Sequence, residues 1–285
     1  MGPRDGLQSE KKIIPTNEKI KLIRSLVRSG IRDIEVGSFV RSSWVPQLSD
    51  TSEVIKRLVK YKGLANLWVF VPNMIGLQKA IDSGASGVSF FYSVSNTFCK
   101  KNINSSKEVV KDNLKEMMAV AKKNKLLTRI YLSTSFYCPY EGEIKLTDTK
   151  KEINFLLSLK PSKVVVSDTT GSANPLLVAK LLKTFYSKKL TKYLALHFHD
   201  TQGMALANVI KSLDFGITEF DSSIAGLGGC PYAPNATGNL ATEDLANMFL
   251  SMNGLKNISM PELLKAGHFC ESIFKRKLPA KMLRV

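Results

Sequence analysis

The 285-residue chain is poor in cysteine, histidine and acidic residues: four Cys, three His, and 24 Asp and Glu against 41 Lys and Arg. Cys99, Cys138, Cys230 and Cys270 form no CxxC pair and no dense framework. That excludes a disulfide-stapled secreted scaffold and fits free thiols in a reducing compartment. No apolar run approaches the roughly 18 residues needed to span a bilayer, and no charged-then-apolar leader opens the chain, so the expectation is a soluble intracellular protein with no membrane partner. GxGxxG and GxxxxGK[ST] are both missing, which argues against an open nucleotide-binding sheet. There is no RNA-binding aromatic signature, zinc-finger spacing or basic tail, so the formal charge of +17 is not read as a nucleic-acid footprint. Lys and Arg sit instead on the polar side of helical patterns such as EKIKLIRSLVR and KEMMAVAKKNK. Their excess still makes a broadly positive surface that attracts anions, a phosphorylated small molecule among them.

What the chain does have is a globular composition, 44% hydrophobic and 23% charged, enough for a sizeable core. Seven β-rich runs alternate with helix-period segments: Ile31 to Phe39, Leu67 to Pro72, Gly87 to Val94, Thr128 to Phe136, Lys163 to Gly171, Tyr193 to Asp200 and Glu219 to Gly228. Several are nearly continuous apolar stretches, the pattern of strands buried on both faces of a parallel sheet. Between them NEKIKLIRSLVRSG ends at a glycine stop, and Ser105 and Glu108 have capping-box spacing ahead of another helix. No linker divides the chain. The pattern implies one α/β domain over residues 1–285, a TIM (β/α)8-type barrel in preference to a doubly wound sheet, with 260–285 as a C-terminal helical extension. Its active site belongs at the C-terminal rim of the strands.

Two of the three histidines, His197 and His199, fall in LHFHD. At i and i+2 of a strand both rings point to one side, an arrangement common among metal ligands, although a lone histidine is more often structural. Two imidazoles do not complete a site for a hard cation such as Mg²⁺ or Mn²⁺, which takes about six ligands, mostly oxygen. Asp5 is the natural carboxylate if a strand ends in GPRDG, and Asn239 can add an amide oxygen; short polar residues in glycine-rich loops otherwise cap or turn.

Together GPRDGLQSEK, FVRSSWVPQ, CPYEG, LHFHDTQGMALAN and DSSIAGLGGCPYAPNATGNLATED closely resemble the hydroxymethylglutaryl-CoA lyase family, among the DRE-type metal-dependent TIM-barrel lyases. The resemblance runs in order from Gly2 to about Lys275. It implies cleavage of 3-hydroxy-3-methylglutaryl-CoA to acetoacetate and acetyl-CoA, with a divalent cation, Mg²⁺ or Mn²⁺, held by Asp5, His197, His199 and Asn239. It also implies catalytic roles for Arg4, Glu35, Asp168, His197 and Cys230, with Arg4, Gln8 and Lys11 near the acyl-CoA substrate. The general base stays open among Asp5, His199 and His197, and Glu35 and Asp168 can equally orient ligands or cap turns. A homodimer is common in the family, and the compartment it implies is the cytoplasm, or the mitochondrial matrix in a eukaryote. Alternative readings are a related DRE-type Claisen synthase or aldolase, and a truncated non-catalytic remnant.

The resemblance further implies an apolar strand ahead of GPRDG as the first of the barrel's eight. Only Met1 and Gly2 stand there, so the expectation is a barrel lacking its first strand, with Arg4 and Asp5 loosely tethered. A start upstream is the favoured explanation, against a decaying coding sequence or a partner chain that supplies the edge. Ser167 and Thr170 depart from the family's usual residues around Asp168, and the C-terminal KMLRV lacks a thiol and a peroxisomal address.

Overall fold

The computed structural model describes residues 1–61, 63–228 and 238–285. Seven parallel strands form the main sheet in chain order: β1 (Asp33–Ser38), β2 (Asn66–Phe70), β3 (Gly87–Ser93), β4 (Leu127–Ser133), β7 (Lys163–Asp168), β8 (Leu194–Phe198) and β9 (Phe220–Asp221). Between β4 and β7, β5 (Tyr137–Cys138) and β6 (Gly142–Glu143) make a small antiparallel ribbon. All seven predicted strands are present, and each is followed by helix. Val164, Val165 and Val166 of β7, and Leu194, Ala195 and Leu196 of β8, are all buried, as strands covered on both faces must be.

The sheet is curled. Arg129 on β4 meets Asp221 on β9 at 3.0 Å, although β7 and β8 lie between them. In a flat sheet three strand spacings would hold those positions about 14 Å apart. Tyr131, Val165 and Ala195 point inward and pack with Phe70 and Met1, so the interior is filled by side chains, as in a small barrel. Sequential parallel neighbours joined by outer helices make this a TIM-type barrel wall. Among the described residues β1 and β9 do not pair with each other, which leaves a seam. A cavity of about 610 Å³ lies along it, lined by Leu26, Ile31, Trp68, Arg129, Phe220 and Leu245 among others.

Residues Arg4 and Asp5 differ from expectation. They are neither at a strand end nor loose: Arg4–Gln8 is a short helix, α1, whose Arg4, Gly6 and Leu7 are buried. Leu7 enters the main core. The segment beyond it is clamped, because Gln47 accepts from the Ile14 N–H at 2.8 Å and donates to the Lys12 carbonyl at 2.8 Å. The buried Lys19 on α2 (Thr16–Arg28) reaches Asp50 at 2.7 Å. Tertiary contacts therefore hold what strand pairing was expected to hold.

Helix ends are set by local chemistry. α2 stops two residues before Gly30, whose φ is +97° and where a Cβ would stand 1.9 Å from the Asn257 carbonyl oxygen, so no side chain fits. α6 (Lys107–Lys123) is capped by Ser106, which accepts from the Val109 N–H at 3.4 Å, one residue later than the capping-box spacing of Ser105 predicts. α10 (Thr242–Ser251) and α11 (Met260–Phe274) close the chain, and α11 packs along α2. Among the described residues no helix is long and apolar enough to cross a membrane.

Candidate active site

Arg4 sits at the centre of the site. Its Nε donates to Glu35 Oε2 at 2.6 Å, and its Nη1 donates to Asp5 Oδ1 at 2.8 Å and to Gln8 Oε1 at 3.3 Å. Glu35 comes from β1, where it is buried, and its other oxygen accepts from Ser89 on β3. The guanidinium also lies 4.9 Å from the Phe70 ring centroid. Burial alone would discharge the guanidinium, but the Glu35 and Asp5 carboxylates hold it firmly charged. A buried cation so fixed is a preorganised positive charge.

Asp5 joins Arg4 to the loop after β9. Its Oδ2 accepts from Asn239 Nδ2 at 2.8 Å, and the same amide donates to the Leu227 carbonyl at 3.1 Å. Burial would raise the Asp5 carboxyl, but Arg4, and after it His197, lower it to about 2. Asn239 forms an antiparallel bridge with His199, one residue beyond the end of β8. That bridge brings the amide and the two imidazoles to one rim; the His197 and His199 ring centroids are 5.1 Å apart. Gly228 makes the approach possible: its φ is +104°, and a Cβ there would stand 2.4 Å from Asn239 Nδ2 and 3.3 Å from the Asp5 carbonyl.

The donor set is one carboxylate, one amide oxygen and two imidazoles. Among the described residues no three His, Cys, Asp or Glu side chains converge on a single point by themselves, because Asp5 spends its oxygens on Arg4 and Asn239. Among the unpartnered buried atoms are nonetheless three that a cation would use or orient: Asn239 Oδ1 and the Nδ1 atoms of His197 and His199. Native proteins rarely leave such groups unmatched. Burial, then His197, lowers the His199 imidazole to about 4 against a smaller opposing pull from Asp5, so it is a neutral lone-pair donor near neutral pH. These residues fit a hard or borderline divalent cation by donor type.

Other expected residues stand further out. Asp168 is buried at the end of β7, where its oxygens accept from the Ser172 N–H at 3.1 Å and the Ala173 N–H at 3.0 Å. Burial pushes it up to about 6; its direct contacts are those of a turn-holding acid. Ser167 bonds the Val165 carbonyl, and Thr170 bonds Ser172, so both serve the same turn. Gln8 and Lys11 are exposed. Lys11 lines a cavity of about 500 Å³ with Glu10, Lys12, Gly226, Gly228 and Arg276. Cys230 lies outside the described residues.

Sequence reasoning missed three members of the site. Asp221, on β9, binds Arg129 Nη2 at 3.0 Å through Oδ1 and stands 3.5 Å from His197 Nδ1 through Oδ2. Burial would raise its carboxyl, but Arg129 and then His197 hold it far below the ordinary range. Tyr131, 6.3 Å from the His197 ring and edge-on to it, is the third. A charged residue inside TRIYLS was the available signal, since Arg in an apolar strand needs a buried partner.

Comparison with known proteins gives the chain's family. The sequence profile of the HMGL-like family matches residues 1–269. The chain is 41% identical to the hydroxymethylglutaryl-CoA lyase of Bacillus subtilis over 100% of its own length and 95% of the relative's. It is 40% identical to the mitochondrial hydroxymethylglutaryl-CoA lyase of Rattus norvegicus, covering 99% of this chain and 86% of that one. The crystal structure of the Bacillus subtilis lyase superimposes with a TM-score of 0.96, covering 99% of this chain and 95% of that one. An Acinetobacter baumannii lyase solved with coenzyme A and 3-methylmalate superimposes at 0.93, with 32% identity over 99% of this chain and 92% of that one. The matched span takes in the Arg4–Asp5 helix, both imidazoles and Asn239, and on these grounds the chain belongs to the HMGL-like family.

Proposed function

We propose that this chain is a carbon–carbon lyase that splits 3-hydroxy-3-methylglutaryl-CoA into acetoacetate and acetyl-CoA. The observation that carries this reading is the convergence of a charged, buried Arg4 with Asp5, Asn239, His197 and His199 at one barrel rim. The reaction removes the proton of a tertiary hydroxyl, breaks the adjacent C–C bond and leaves the electron pair as an enolate on the thioester. Arg4 is held to within hydrogen-bond precision by Glu35 and Asp5, so its guanidinium can face the developing enolate oxygen without reorganising. A single preorganised donor of this kind is typically worth about 3–4 kcal/mol of barrier.

Metal dependence is general in the family, and Asp5, His197, His199 and Asn239 are the residues that would hold the cation here. Bound there, a Mg²⁺ or Mn²⁺ ion lowers the pKa of a hydroxyl it chelates. Asp5, His199 and His197 are the candidate acceptors for the hydroxyl proton. Cys230, in the GLGGC run, supplies the proton that quenches the enolate. Lys11, with Lys12 and Arg276 around the same cavity, favours the phosphates of coenzyme A. Glu35 acts through Arg4, and Asp168 through the turn it closes. A homodimer inside the cell, in the cytoplasm or the mitochondrial matrix, belongs to the same reading.

Product analysis tests it. Incubation with the hydroxymethylglutaryl thioester and Mg²⁺ or Mn²⁺, followed by chromatography, is expected to give acetoacetate and acetyl-CoA in equal amounts. Condensation of acetyl-CoA with a 2-oxo acid, with no cleavage, would instead assign a Claisen-type synthase. Absence of both reactions would make the chain a non-catalytic remnant.

A further inference from the structure

The inner wall of the barrel holds a charged pair, Arg129 and Asp221, that the reaction above does not use. Arg129, on β4, is half-buried and reaches β9 from three strands away. Its Nη2 is bonded to Asp221 Oδ1 at 3.0 Å, so that oxygen is occupied. The second oxygen, Oδ2, is buried without a hydrogen-bond partner, and so is Nδ1 of His197. These two orphaned atoms face each other at 3.5 Å. Their residues are register partners on adjacent strands, His197 on β8 opposite Asp221 on β9. Strand pairing thus sets the two residues side by side.

An imidazole has one lone pair in its neutral form, and the nitrogen that keeps it is decided by what the other nitrogen donates to. A carboxylate beside Nδ1 favours the tautomer that carries its hydrogen there and leaves the lone pair on Nε2. Asn239 Oδ1 and Ser223 Oγ are also buried without a partner, but Asp221 Oδ2 is the carboxylate oxygen that stands 3.5 Å from His197 Nδ1. Arg129 fixes the carboxylate in turn, and its guanidinium lies 5.8 Å from the Trp68 ring centroid. The row Arg129, Asp221, His197 therefore ends at the rim.

We propose that Asp221 is a positioning residue: it accepts the Nδ1 hydrogen of His197, and so presents the Nε2 lone pair to the site, while Arg129 holds the carboxylate in place. The link from His197 to a cation rests on the functional reading above; the tautomer does not. The row also gives Arg129, a charged residue deep in a small barrel, a task beyond neutralising Asp221.

Two measurements test the proposal separately from that reading. Long-range ¹H–¹⁵N spectra of the metal-free protein at pH 8 report the tautomer of His197 directly. Wild type is expected to be protonated at Nδ1, and Asp221→Asn to shift toward the Nε2–H form; a wild-type His197 protonated at Nε2 overturns the proposal whatever the metal does. Manganese affinity, read by the EPR signal of free Mn²⁺, is expected to fall about ten- to a hundredfold in Asp221→Asn, as loss of a partner behind a ligand typically does. Asp221→Glu keeps the charge toward Arg129 and is expected to recover part of that affinity; it stands in if Asp221→Asn does not fold. Leu196→Ala, which opens a core cavity on the same strand, is expected to lower Tm while leaving Mn²⁺ affinity within about threefold. Equal loss of affinity in Asp221→Asn and Leu196→Ala would make the role structural only. Failure of the wild type itself to bind Mn²⁺ would count against the metal reading, and the tautomer measurement would still decide this one.

Discussion

Replacing Glu243 by glutamine should make the protein's stability nearly independent of one large titration. Glu243 is fully buried on α10, and both its oxygens accept from a single donor, the Ala225 N–H, at 2.9 and 2.8 Å. That bond holds Ala225 at a positive φ of 56°, at the foot of the glycine run that leads to Cys230. Burial pushes the carboxyl from 4.5 up to about 8; Asp244 and Glu271 add to the rise, and the Ala225 N–H opposes it. Near pH 6 the folded protein thus carries a proton that the unfolded chain has released. The stability this proton contributes is fully present below pH 4.5 and is lost as pH rises through about 8. A rise of about 3.5 units corresponds to about 5 kcal/mol, comparable with the total stability of many domains. Urea unfolding of wild type and Glu243→Gln at each pH from 5 to 9 measures it, since the difference between the two curves cancels titrations they share. The difference, wild type minus variant, should fall by roughly 1.4 kcal/mol per pH unit from pH 5 to about 8 and level off above that, leaving the variant the more stable there. Curves that run parallel would refute the reasoning, because they would mean that Glu243 is ionised at pH 5 in the folded state.

Three further outcomes follow from particular contacts. Arg4→Lys keeps a charge but loses the Nε bond to Glu35, so turnover should drop about a hundred- to a thousandfold with a smaller change in KM, read as acetyl-CoA formation. Gly228→Ala places a methyl 2.4 Å from Asn239 Nδ2 at a φ of +104°; about 1–3 kcal/mol of stability should be lost, together with Mn²⁺ binding, by thermal melts and EPR. The net charge of +17 should make KM for the CoA thioester rise with ionic strength while kcat holds; a salt-independent KM would remove phosphate attraction as the role of Lys11, Lys12 and Arg276.

The strands were legible because burial on both faces writes itself as uninterrupted Val, Leu and Ile, as in KVVV and LWVFV. His197 and His199 were legible for a similar reason, since strand geometry alone puts i and i+2 on one side. Long-range pairing leaves no such trace. Nothing local says that Asn239 bridges to His199 across the rim, or that Asp221 faces Arg129 from three strands away. Asn239 entered as a candidate amide oxygen with its partners unseen, and Asp221 did not enter at all. The expected looseness of Arg4 and Asp5 failed because it considered only strand pairing, whereas an ion pair to Glu35 and the burial of Leu7 fix α1 from the side. Ser106 displaced Ser105 as a cap because either serine precedes an acceptable helix, and propensity does not separate them.

The most direct measurement is anomalous scattering from a crystal of the protein grown with Mn²⁺. The expected result is one strong peak among Asp5, His197, His199 and Asn239, absent from crystals of Asp5→Ala and His197→Ala. Crystals of active protein with no peak at that rim would contradict the claim that this acid and these two imidazoles share one cation.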